Sequence, residues 1–361
     1  MKEKHPVTPL HVFFLAFIFM LQGLASSDTA DRLAEGWLVH LAVGILYVPA
    51  AELILHLAQN EESRRAFPCA LGRRAGKAAS AAAALYGAFL AGWAIRTFAD
   101  FMTVNELNAA GRFGNTLLVG SAVFVLLSGR EVLFRTAWIF QPLIAGALLL
   151  SICVTLPRAS LENFPPLRIE SGPGLLQSVL KEILLLLPPI MYPLFAVPGR
   201  TRPAVRKAVY LAGVSACLLL AVIHIRNIAV LGYPTITIFR YPAYVAAGTG
   251  RHTEVLISSA FALCQVFYAA VCLRFTGDLA ERYPVGKRVR ISAISCLTAA
   301  AFSFITKDTF EWLRLAFGAM FLLLLLLAAA MRTVRAVREN YSFYVFRNEI
   351  FLRLSLGHTA K

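Results

Sequence analysis

Lys181 and Glu182 stand side by side inside an apolar run, and Pro188, Pro189 and Pro193 follow them in the same run. A carboxylate about one and a half turns before the prolines could meet an ammonium group or a proton. The prolines remove backbone donors and clash with the preceding turn, so the spacing predicts a helix broken at Pro188-Pro189. In lipid, freed backbone groups persist only where protein or a wet cavity satisfies them. A break there would offer N–H and C=O groups to a zwitterion. The competing readings are a proline kink that serves packing, and a boundary carboxylate paired with Lys181 or water. A second interruption, Gln22-Gly23, breaks the first apolar run, unless the helix simply ends there. The two breaks are expected to face each other near the membrane midplane, with Trp93, Gln265 and Tyr268 walling the cavity and Tyr192 beside the prolines. Arg96 and Asp100, four apart on one helix face, read as a structural pair. A central intramembrane charge costs about 2.5–3.5 kcal/mol and usually faces a partner or a cavity.

Other chemistry is missing from the sequence. The six cysteines show no Cys-x-x-Cys, and the seven histidines form neither His-x-x-x-His nor HExxH. The cysteines fall mostly within apolar runs and read as small apolar residues. No Walker loop, dinucleotide fingerprint or nucleophile elbow is present. The expectation is a protein that is not an enzyme and holds neither metal nor cofactor.

The elements that must position these residues follow from composition. The 361 residues are 58% hydrophobic and only 15% charged, with a mean hydropathy of +0.67. That is the balance of an all-α polytopic membrane protein, in which each span needs about 20 apolar residues. Ten candidate spans are predicted: 9–26, 37–58, 78–100, 115–128, 133–155, 174–197, 206–231, 253–274, 289–306 and 312–331. They make one transmembrane domain over 1–331, followed by a basic-aromatic tail over 332–361. Five spans in each half, 9–155 and 174–331, would enter the membrane in opposite senses. That is the requirement for a 5+5 inverted repeat with broken first and sixth helices.

Charge sets the expected orientation. Basic flanking residues concentrate in alternate loops, twenty-three against seven, which places both termini and the 59–77 loop in the cytoplasm. The net charge of +15 is thus spread over short loops, and nucleic-acid binding is not expected. The tail interleaves Arg with Phe, Tyr and Leu, which suits membrane lipid or a partner's docking surface. The first run is long for a leader's apolar region and reads as a retained span.

Three segments carry a resemblance. SGREVLFRTAWIFQP, with Gly129, Glu131, Arg135 and Pro142, is similar to a motif of the endospore germination permeases. ENFPPL resembles that family's Asn- and Pro-rich entry to the sixth span, and YPTITIFRYPAYVAAGTGRHTEVLI from Tyr233 to Ile257 resembles its outer loop. The resemblance implies the B subunit of a germinant receptor, related to amino-acid permeases of the APC superfamily. It implies an integral multi-pass protein of the spore inner membrane or the bacterial cell membrane. Its expected partners are an A subunit, a C lipoprotein subunit and a small amino-acid-like germinant. An ion-coupled amino-acid transporter is the alternative on the same scaffold, and a polytopic membrane transferase stands further off. The first span departs from the family pattern: LQGLASSDTADRLAEG has Gly23 but no Pro at the break.

Overall fold

The structure, a computed structural model, describes residues 7–22, 35–58, 67, 70–104, 120, 130–165, 172–196, 202–250, 252–280, 294, 297–302, 309 and 312–334. Among them there are helices and no strand. In chain order these are α1 (Pro9–Met20), α2 (Gly36–Ala58), α3 (Arg73–Val104), α4 (Arg130–Thr155), α5 (Gly172–Ala196) and α6 (Arg202–Leu231). Two short helices follow, α7 (Tyr233–Ile236) and α8 (Pro242–Gly248), then α9 (Glu254–Ala280) and α10 (Trp312–Val334). Among the described residues seven helices are long and apolar enough to cross a membrane, and α1 is a shorter apolar helix. The expected spans at 115–128 and 289–306 fall largely outside the described residues, as do the tail, Gly23 and Gly129.

Helix α1 starts where Thr8 caps it and Pro9 takes the first position, where its missing N–H costs nothing. It ends at Met20, and Leu21-Gln22 form a tighter terminal turn. Helix α1 thus ends before the interruption expected at Gln22-Gly23, whose Gly23 lies outside the described residues.

The bundle is inside-out relative to a soluble protein. Large apolar side chains face outward, among them Ile139, Leu143 and Leu323, whereas His40, Gln265, Arg226 and Arg314 are buried. Lipid supplies the apolar surroundings that such an exterior needs, and polar groups find partners only within the bundle.

Neighbouring helices pair in opposite senses. Along α2 and α6, His40 meets His224 and Tyr47 meets Gly213, so the two run antiparallel. The Tyr47 ring occupies the place a Cβ at residue 213 would take, so only glycine lets these helices approach so closely. Helices α3 and α9 are likewise antiparallel: Gly87 lies against Thr276, Trp93 against Tyr268 and Phe98 against Phe261. Helix α10 lies antiparallel along α3, through Tyr86–Phe321 and Phe89–Phe317, both with ring centroids 5.3 Å apart. Helix α5 packs against α2, α9 and α3.

Candidate functional site

The three prolines do not unwind α5. The helix continues from Gly172 to Ala196 with Pro188, Pro189 and Pro193 inside it, which corrects the expected break. The local consequence of the prolines remains. In an α-helix the N–H of residue i donates to the carbonyl of residue i−4. Pro188 and Pro189 have no N–H, so the carbonyls of Leu184 and Leu185 lose their intrahelical donors.

Two tyrosines replace those donors. The Tyr86 hydroxyl, from α3, donates to the Leu184 carbonyl at 2.8 Å. The Tyr268 hydroxyl, from α9, donates to the Leu185 carbonyl at 2.7 Å. Both tyrosines are fully buried. A buried carbonyl left unmet costs about 1–3 kcal/mol, so the phenols are what allow consecutive prolines to remain helical here. The backbone acceptors expected to await a ligand are thus occupied by protein donors.

Around this pair the bundle collects further polar groups. Trp93 lies edge-on to Tyr268, ring centroids 5.9 Å apart. Gln265, one turn before Tyr268, is fully buried, and neither of its amide atoms has a hydrogen-bond partner. Arg314 of α10 is also buried. One turn further along α10, Gly318 leaves room for this arrangement. A Cβ there would lie 3.0 Å from both the Leu184 side chain and the Tyr86 hydroxyl.

Glu182 takes part in a different contact. It is buried, and its carboxylate lies 3.3 Å from His40 Nδ1 of α2. His40 is thus a partner of this carboxylate. His224 of α6 stands edge-on to His40, centroids 6.0 Å apart. Tyr192 stacks on Phe134 of α4 at 5.8 Å. Of the expected site residues, then, Trp93, Tyr268 and the turn preceding Pro188-Pro189 meet, with Gln265 one turn along α9. Glu182 and Tyr192 turn to α2 and α4, and Gln22 lies buried at the end of α1.

Asp100 has a closer partner than Arg96. Its carboxylate lies 2.7 Å from Arg240, in the segment between α7 and α8, and 3.9 Å from Arg96 Nε. The triad ties the end of α3 to the α7–α8 segment, where Phe101 also packs on Tyr241 and Tyr244. Glu52 pairs with Arg206 and accepts from Tyr210 at a partly exposed helix end. No group of His, Cys, Asp or Glu among the described residues could hold a metal ion.

His224, Arg226, Arg274 and Arg314 were missed as polar residues of the bundle interior. The available signal was position: each is an ionisable residue inside an apolar run, and such residues are expensive in a membrane unless they have a role.

The segments resembling germination permeases have defined structural parts. Glu131 and Arg135 form an (i, i+4) pair at 3.5 Å at the start of α4, and Pro142 lies within that helix. Asn163 donates to the Ala229 carbonyl at 2.7 Å, so the described start of the ENFPPL segment, 162–165, closes over the end of α6. The spore germination protein family, a family of permeases, matches residues 7–249. The chain belongs to that family. The chain finds no match among curated proteins. The family match takes in Tyr86, Trp93 and the prolines but stops before Gln265, Tyr268 and Arg314. Family and apolar helices together make it a multi-pass membrane protein connected with spore germination.

Proposed function

We propose that the chain is the membrane-embedded subunit of a spore germinant receptor. It recognises a small amino-acid-like germinant and passes the signal to an A subunit and a C lipoprotein subunit. The recognition centre is the turn before Pro188-Pro189 with Trp93, Gln265, Tyr268 and Gln22. Glu182 serves as a nearby carboxylate held by His40. The single observation behind this reading is the pair of tyrosine donors on the Leu184 and Leu185 carbonyls. A ligand ammonium group is also a donor, and it competes for the same acceptors. Exchange of ligand for phenol at one carbonyl would loosen α5 from α3 or α9, which gives binding a mechanical output.

The scaffold in this reading is a ten-helix, 5+5 inverted repeat with both termini cytoplasmic. The family membership and the helices that can cross a membrane support it.

The test is Pro188→Ala with Pro189→Ala. The two alanines supply N–H donors to the Leu184 and Leu185 carbonyls, and with the tyrosine hydroxyls still donating both lone pairs of each carbonyl are used. Spores carrying the double variant are expected to lose the germinant response while the protein inserts and assembles. A normal response would place the site elsewhere. Uptake into liposomes separates the alternative on the same scaffold: accumulation of a labelled amino acid by this chain alone would make it an ion-coupled transporter.

A further inference from the structure

Arg226 lies in α6, five residues before the end of that helix, and is 3% exposed. Its Nε and both terminal guanidinium nitrogens are buried, and none has a hydrogen-bond partner. No ion pair reaches it among the described residues. Other arginines in this fold have carboxylates at hand: Asp100 for Arg96 and Arg240, and Asp278 for Arg274 at 3.2 Å. Removing a charge from water without such compensation is among the most costly things a fold can do. The adjacent Asn227 is also buried, and its Oδ1 has no partner.

The end of the helix beyond Arg226 is closed. The carbonyl of Ala229, one turn on, receives the Ser160 N–H at 2.9 Å and the Asn163 amide at 2.7 Å. The loop between α4 and α5 therefore covers this end of α6, and α8 packs on the same helix.

We propose that Arg226 is the anchor of an anion site whose ligand is a monoanionic oxyanion. A single guanidinium neutralises a single charge. Its planar fork, with every nitrogen unoccupied, matches two oxygens better than a spherical halide. A small molecule's carboxylate and a lipid phosphodiester share that chemistry. The proposal does not depend on the receptor reading.

Thermal unfolding of the full-length detergent-solubilised protein tests it, with acetate and chloride titrated in parallel at equal ionic strength. The expected result is a saturable rise in Tm with acetate and a smaller one with chloride. In Arg226→Gln the half-saturating acetate concentration should rise about tenfold or more, the loss expected when a charged hydrogen bond is removed. A second arm compares nanodiscs of phosphatidylglycerol and phosphatidylcholine. Stabilisation by phosphatidylglycerol that needs Arg226, with no acetate effect, identifies the lipid as the source. Arg226→Lys guards against misfolding of the glutamine variant, because it keeps the charge and loses the fork. Its response to acetate should fall to that of chloride. Equal responses of wild type and Arg226→Gln in both arms would overturn the proposal, as would a saturable acetate effect in the wild type that chloride matches. Should the glutamine variant not fold, a lysine variant that keeps the wild-type preference for acetate would overturn it too.

Discussion

Replacing Tyr86 by Phe removes one hydroxyl and leaves the Leu184 carbonyl, buried in α5, without the donor that Pro188 cannot supply. The cost is that of a buried unsatisfied acceptor, about 1–3 kcal/mol. Its origin can be isolated by restoring the helical donor. In a Pro188→Ala background residue 188 has an N–H four residues beyond Leu184, and the same Tyr86→Phe change should cost almost nothing. The two substitutions are therefore coupled by about 1–3 kcal/mol, in the range that neighbours in one network show. Tyr268→Phe and Pro189→Ala form the corresponding pair for the Leu185 carbonyl. The crossed pairs, Tyr86→Phe with Pro189→Ala and Tyr268→Phe with Pro188→Ala, act on different carbonyls and should be more nearly additive. Reversible unfolding of the detergent-solubilised variants in denaturant, analysed as double-mutant cycles, reads all four couplings. If Tyr86→Phe costs the same in the Pro188→Ala background as in the wild type, the hydroxyl does not replace the missing helical donor and the reasoning fails.

Glu182→Gln removes the charge that faces His40 and should raise the germinant concentration needed for a half-maximal response without abolishing expression; an unchanged dose curve in spores would remove Glu182 from the site. Asp100→Asn leaves Arg240 and Arg96 facing each other across a neutral amide, and should destabilise the protein by about 1 kcal/mol because all three side chains stay partly wet. Arg240→Gln with Asp100→Asn should recover part of that loss in the same unfolding assay, and no recovery would mean the triad is not the cause. Single cysteines at Glu106 or Glu170 should be labelled from outside the cell and one at Arg202 should not; labelling at Arg202 would reverse the orientation.

The sequence by itself determined the class of the protein. A chain this apolar has to satisfy its backbone hydrogen bonds within each segment, so long apolar runs become helices whatever their neighbours are. Family membership was equally legible, because Glu131, Arg135, Pro142 and the ENFPPL loop are local patterns. The positions of Pro188 and Pro189 also determined which two carbonyls, those of Leu184 and Leu185, would lose their donors. What the sequence could not determine is who replaces them. Tyr86 and Tyr268 stand far from the prolines along the chain and reach them only because α3, α9 and α5 pack together. The expected break in α5 failed for the same reason: proline removes a donor locally, but whether the helix then opens depends on donors that other helices bring. His40 as the partner of Glu182, and Arg240 as that of Asp100, were likewise decided by packing between distant segments. A charge inside an apolar run announces that it needs compensation, and only the tertiary structure says which group supplies it or, at Arg226, that no residue does so among those described.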